Sequence, residues 1–331
     1  MRQSTIGPLQ VSAIGLGCMG LSQAYGTQDE ESSIRTLHRA LDLGVTFLDT
    51  AEIYGPLRNE ALLGRALKGR RAGAVIATKF GFTYRADRDD FGEATGTDGS
   101  PANARRVAEA SLKRLQTEVI DLFYLHRLDP TVPIEESVGA MADLVAEGKV
   151  RAIGLSEVSP ATLRRAQAVH PVAALQSEYS LWSREVETNG VLETCRALGI
   201  AFVPFSPLGR GFLTGTVPPV DALEANDFRR NLPRFQPDNA AANARPLQVV
   251  QEIAAAHGVS AAQVALAWVL AQGADIVPIP GAKRIAHLEE NVAAVDLALT
   301  AEDLARLAAA FAPENIAGER YPAAWQKMTD S

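Results

Sequence analysis

LDTAEIYG, residues 48–55, decides how this chain reads as a fold. A short apolar run, 46–50, closes on a carboxylate, Asp49. A phenol, Tyr54, follows in the turn, and a helical pattern opens near Asn59. A strand that ends in chemistry-bearing side chains and passes straight into a helix is the unit of a parallel α/β fold. The same unit recurs further on, where AVIATK ends in Lys79 and DLFYLH ends in His126.

Outward from that stretch, short apolar runs lie at 11–17, 75–79, 120–125, 150–155, 173–176, 200–205 and 276–279. Helical patterns fall between them at 29–43, 102–115, 134–147, 159–169, 187–198 and 246–272, the last interrupted at Gly258. Ser100 and Pro101 supply a cap and a first-turn proline for the helix over 102–115. The runs are apolar on successive positions, as in parallel strands buried on both faces. The count predicts a single α/β domain over residues 1–331, a (β/α)8 TIM barrel.

An open doubly wound sheet is the competitor. Against it, polar residues close several different strands, which a barrel gathers around one mouth. Two irregular stretches, 81–99 and 208–243, are expected to lie as long loops over that carboxyl-end face.

Composition narrows the function. The chain has 331 residues, 47% of them hydrophobic, and a net charge of -7, which leaves no basic field for nucleic acid. Its two cysteines, Cys18 and Cys195, are too few for a disulfide framework and are not spaced as metal ligands. No signal-peptide pattern opens the sequence and no apolar run is long enough to span a bilayer, so a cytoplasmic protein without membrane partner is expected.

The strand-end residues form a chemical set. Reduction of a carbonyl by a nicotinamide needs a proton donor at the carbonyl oxygen. A tyrosine titrates near ~10, so Tyr54 needs help, and the Lys79 ammonium would lower its pKa. Asp49 would keep Lys79 charged, and His126 would hydrogen-bond and orient the carbonyl. Singly, each has a plain structural role as cap, surface aromatic, snorkelling lysine or core histidine. Jointly, they point to carbonyl chemistry.

The chain resembles the aldo-keto reductases along essentially its whole length. IGLGCMG (14–20), FLDTAEIYG (47–55), ATKFG (77–81), DLFYLHR (121–127), IGLSEVS (153–159), LQSEYSLWSR (175–184), PFSPLGRGFLTG (204–215) and PIPGAKRIAHLEEN (278–291) fall in that family's order. The likeness is to its extended-loop bacterial, plant and fungal members. It implies a barrel that binds NADPH extended across the carboxyl-end face, a catalytic set of Asp49, Tyr54, Lys79 and His126, and Tyr54 as general acid.

The resemblance also implies a cofactor surface. Ser156 and Gln176 correspond to residues that hold the nicotinamide carboxamide, with Cys18 and Met19 beneath the same ring and Asp49 nearby. Phe205 stands where the family stacks an aromatic on the nicotinamide. Ser206, Leu208 and Arg210 match the pyrophosphate loop. Gly281, Lys283 and Arg284 match an anion site for the 2′-phosphate, with Glu290 and Asn291 toward the adenine. Two departures stand out: Glu157 replaces a frequent asparagine, and because a carboxylate cannot donate to the carboxamide as an amide can, its role stays open between cofactor contact and solvated loop acid, while His287 replaces a frequent arginine. NADPH is therefore the expected cofactor, NADH a weaker substitute, and a small-molecule carbonyl the partner. Two alternatives stay open: a Schiff-base lyase using Lys79, and a cofactor-sensing barrel subunit without catalysis.

Overall fold

A computed structural model of the chain describes residues 1–84, 94–326 and 328–330. Seven parallel strands lie side by side in chain order: β1 (Leu16–Gly17), β2 (Phe47–Asp49), β3 (Val75–Phe80), β4 (Ile120–Leu125), β5 (Val150–Ser156), β6 (Val172–Glu178) and β7 (Ala201–Phe205). The eighth place is filled by residues 276–281, bridged to β7 at Phe202 and Ile276 and to β1 at Gly17 and Gly281. Val277 N donates to Phe202 O at 2.9 Å and Ile279 N to Pro204 O at 3.0 Å on one side. On the other side, Gly15 N reaches Pro278 O at 2.9 Å and Gly17 N reaches Pro280 O at 3.1 Å. Pro278 and Pro280 have no N–H to return, so this predicted strand closes a (β/α)8 barrel without forming a full ladder.

Side-chain alternation sorts the barrel. Phe47, Ala77, Leu122, Tyr124, Ala152, Ala174, Ala201, Val203, Val277 and Ile279 fill the interior. Leu48, Ile76, Phe123, Ile153, Leu175 and Phe202, one position away, pack outward under the helices. Carried to the carboxyl ends, the same period points Asp49, Lys79, His126, Ser156, Gln176 and Phe205 to the mouth.

The run predicted at 11–17 splits in two. Leu9–Ser12 pairs antiparallel with Gln3–Ile6, and only Leu16–Gly17 joins the barrel. Ile6, Leu9 and Val11 bury themselves among the inward barrel residues and plug the amino end. Gly7 turns this hairpin at φ +52, where an added Cβ would lie 2.7 Å from the Cβ of Ala173.

The outer layer is helical: α1 (Glu30–Asp42), α2 (Arg58–Ala66), α3 (Pro101–Leu115), α4 (Ile134–Ala146), α5 (Pro160–Val169), α6 (Val191–Leu198), α7 (Pro237–His257), α8 (Ala261–Ala271), α9 (Ile285–Ala293) and α10 (Ala301–Ala310). The Ser100 hydroxyl accepts from Asn103 N at the start of α3, as the sequence predicts. Gly258 ends α7 at φ +66, also as read. The start of α7 differs: Pro237 takes the first turn, and Pro246 lies buried inside the helix. An interior proline looks like a start in sequence because both positions can lack the N–H bond. Among the described residues no single helix is long and apolar enough to cross a membrane.

Both predicted loops bear on the mouth. Phe82–Tyr84 pairs antiparallel with Ala94–Thr97, while residues 85–93 of that excursion lie outside the described residues. The stretch 208–243 is organised as short 3₁₀ turns and the first part of α7. It reaches across to the loop after β1, where Phe228 N donates to Ala24 O at 3.1 Å and Glu224 Oε2 accepts from Thr27 Oγ1 at 2.8 Å.

Candidate active site

Lys79 is the centre of the mouth. It is 1% exposed, and its Nζ donates to Asp49 Oδ1 at 2.5 Å, Thr50 O at 2.8 Å and Tyr54 Oη at 3.2 Å. Three donors meet three acceptors, so the ammonium is saturated. Asp49 is 2% exposed and takes a second bond on Oδ2 from Gln176 Nε2 at 2.7 Å. Tyr54 is half-buried at the turn before α2, and its ring meets His126 edge-on, 5.9 Å between centres. Strand alternation brings Asp49, Lys79 and His126 together, and the turn after β2 adds Tyr54, so all four residues predicted to act as a set meet at the mouth.

The electrostatics divide the four. Burial works against the charge on Lys79, but Asp49 and Tyr54 outweigh it and hold its pKa above the ordinary value. Burial raises the Asp49 carboxyl, while Lys79 and Gln176 pull it down. His126 is pushed well below the usual imidazole range, first by burial, then by Lys79 and Arg127, and is neutral at pH 7. For Tyr54 the sequence expectation needs correcting. Lys79 does favour its tyrosinate, yet burial is the larger effect and the phenol ends above 10.0. Lys79 therefore offsets desolvation of the tyrosinate without making Tyr54 a stronger acid than free tyrosine.

The residues assigned to a cofactor have partners of their own. Ser156 Oγ accepts from Arg127 Nη1 at 3.1 Å. Cys18 is fully buried under Asp49, whose carbonyl accepts from Cys18 N at 2.8 Å, and burial drives its thiol far up. Met19 is half-buried in the turn that follows. Phe205 and Leu208 are half-buried at the rim, and Ser206 has φ +51. Gly281 lies beside Gly17, with Arg284 exposed at the N-cap of α9, Glu290 half-buried and Asn291 buried.

Two predicted phosphate ligands are engaged elsewhere. Arg210 Nη2 bonds Glu178 Oε2 at 2.7 Å and its guanidinium lies between the Phe228 and Tyr321 rings, so it is no free cation. Lys283 Nζ donates to the carbonyls of Tyr25 and Thr27, the latter at 3.1 Å, and ties down the loop after β1. Both are satisfied because that loop and the 208–243 stretch close over the rim.

A family model for the aldo/keto reductases matches residues 13–312. The chain belongs to the aldo/keto reductase family. Membership makes it an oxidoreductase by class. Among solved structures it is similar to a glycerol dehydrogenase from Gluconobacter oxydans, with 29% identity, TM-score 0.85, and 94% of this chain and 95% of that one covered. It also resembles an aldo-keto reductase from Klebsiella pneumoniae solved with NADPH, at 28% identity, TM-score 0.72, covering 97% and 99%. A holo-form aldo-keto reductase from Bacillus halodurans matches at 28% identity and TM-score 0.74, covering 97% and 98%.

Within this family frame, a buried charge network stands out that the sequence reading passed over. Glu157, for which the sequence leaves solvated loop acid as one of two open roles, is 1% exposed and bonds Arg320 Nη2 at 2.6 Å and Glu178 N at 2.8 Å. Glu178 takes Arg210 and the Ser183 hydroxyl, and Arg234 bonds that same hydroxyl at 2.8 Å. Together they fasten the stretch around Arg320 and the 208–243 stretch to the end of β6. The available signal was Glu178 itself, an acid closing an apolar strand, as Asp49 does.

Proposed function

We propose that this chain is an NADPH-dependent reductase of aldehydes or ketones with Tyr54 as proton donor. The observation that carries the reading is Lys79 Nζ set between Asp49 at 2.5 Å and Tyr54 Oη at 3.2 Å, beside a neutral His126, at the barrel mouth. Bound NADPH would supply a hydride. The protein's part is the proton: His126 donates a hydrogen bond to the carbonyl oxygen, Tyr54 gives up its phenolic proton there, and Lys79 steadies the tyrosinate.

The donor set suits that cofactor. Ser156 and Gln176 offer a hydroxyl and an amide for the carboxamide, and Phe205 offers a ring face. The exposed Arg284 and the amino end of the nine-residue α9 favour a phosphate. Lys283, once released from Tyr25 and Thr27, would add to it. Supporting this, the chain resembles a reductase solved with NADPH. The lyase alternative is disfavoured, since a Schiff base needs a neutral amine and Lys79 is held protonated.

The experiment is an assay of NADPH and NADH oxidation with 4-nitrobenzaldehyde and methylglyoxal, and of glycerol oxidation with NADP+, for wild type and Tyr54→Phe. Wild type should reduce an aldehyde with NADPH preferred, and Tyr54→Phe should lose about 100-fold or more in kcat with NADPH affinity kept. Full activity in Tyr54→Phe, or a borohydride-trapped adduct on Lys79, would refute the reading.

A further inference from the structure

Arg127 follows His126 at the end of β4, and it enters the proton chemistry by helping burial and Lys79 keep His126 neutral. Its Nη1 donates to His126 O at 2.7 Å and to Ser156 Oγ at 3.1 Å. Its guanidinium carbon stands 5.7 Å from the centre of the Phe82 ring, which packs edge-on against His126 at 4.7 Å. The cation is therefore fixed on the rim that carries His126 and Tyr54.

What it lacks is a counter-charge. Lys79 has Asp49, Arg210 has Glu178 and Arg320 has Glu157, but among the described residues no carboxylate pairs with Arg127. Nor do its Nε and Nη2 find a protein acceptor there, because both its bonds leave from Nη1. Those two nitrogens form the edge of a guanidinium that matches the two oxygens of a carboxylate. Asp49 and Lys79 cancel, so among the described residues this guanidinium is left without a paired carboxylate, in a protein of net charge -7. Half-buried against an aromatic ring, it is less screened than a surface arginine.

We propose that Arg127 selects carbonyl substrates that carry a carboxylate, gripping it on the Nε and Nη2 edge while the carbonyl faces His126 and Tyr54. The inference rests on the reductase reading of the same site. The contact to Ser156 makes it specific: Nη1 is anchored, so the free edge is held in one orientation and not left to sweep the rim.

The test compares 4-carboxybenzaldehyde with the neutral 4-nitrobenzaldehyde, both with NADPH, in wild type, Arg127→Gln and Arg127→Lys. Arg127→Gln should lose about 10- to 100-fold in kcat/KM for the carboxylate, the usual worth of a charged hydrogen bond, and under about threefold for the nitro compound. The KM for NADPH should hold, and Arg127→Lys should recover part of the loss. Equal losses on both aldehydes would show a structural role and overturn the proposal. A loss confined to the KM for NADPH would overturn it too, by placing the guanidinium on the cofactor through Ser156. If wild type reduces neither aldehyde, the reductase reading falls and this falls with it. Turnover of 4-nitrobenzaldehyde without carboxylate selectivity sinks this inference alone.

Discussion

Lys79 shows how a charge survives inside a barrel. Moving an ammonium out of water is costly, and here Asp49, the Thr50 carbonyl and Tyr54 take up all three of its protons. Removing it leaves Asp49 buried with only Gln176. Lys79→Met should therefore lower stability by about 3–5 kcal/mol, and it should lower kcat as strongly as Tyr54→Phe does. Thermal or urea unfolding of the variant would check this, and near wild-type stability would mean that Asp49 takes a proton once its partner is gone. The directions of the titrations add a second outcome. Tyr54 is displaced upward and His126 downward, so neither changes charge near neutrality. A plot of kcat/KM for aldehyde reduction should run flat from about pH 6 to 9, given ordinary values near 6.5 for histidine and 10 for tyrosine. An inflection near 6.5 would show that His126 is not held neutral.

At the scale of the elements, the period of two along each strand connects core and mouth. In β4, Leu122 and Tyr124 face inward and the next inward position is His126, while in β3 Ala77 is followed by Lys79. This was legible in the sequence, because the residue that closes AVIATK and the one that closes DLFYLH are in step with the inward set. The N-terminal hairpin was not, because its strands are four residues long and merge with the apolar start of β1. The eighth strand was legible in place but not in pairing, since its prolines are spaced as strand residues yet cannot donate. One close packing joins the core to the site. Gly154 of β5 lies against the Tyr124 ring, and an added Cβ would sit 2.4 Å from it, with the carbonyl of Ala174 at 3.0 Å. Gly154→Ala must displace the ring, which fills the barrel directly below His126. A loss of about 1–3 kcal/mol is expected from such overpacking, with a fall in kcat larger than any change in the KM for NADPH. Denaturant titration beside steady-state kinetics would check it, and an unchanged midpoint would mean that the barrel gives way there at no cost.

For the whole molecule, the proposed catalytic set was readable from residues far apart in sequence because Asp49, Lys79 and His126 stand at strand ends and Tyr54 in the turn that follows one, and a barrel brings all strand ends together. The charge network of Glu157, Glu178, Arg210, Arg234 and Arg320 was not readable, because its partners come from loops whose paths no periodicity specifies. Both features make stability depend on pH. His126 has a folded pKa well below its unfolded value of about 6.5. Above that pH both states are neutral and it contributes nothing. As pH falls below it, the unfolded chain gains a proton that the native state refuses, so stability declines by up to about 1.4 kcal/mol per pH unit. Glu178 acts lower in the range. Burial would raise its carboxyl, but Arg210, Arg320 and Arg234 together hold it below 4.5, so its contribution is complete above that pH and fades as pH falls through its folded value. Acid should therefore weaken the protein in two stages, one opening near pH 6.5 and one below about 4.5. Melting temperatures of wild type and His126→Gln, measured from about pH 7.5 down to about pH 3, separate the two stages. The variant should lose most of the decline between pH 6.5 and 5 while keeping the stage below 4.5, and parallel curves for the two proteins would show that His126 titrates alike in the folded and unfolded chain.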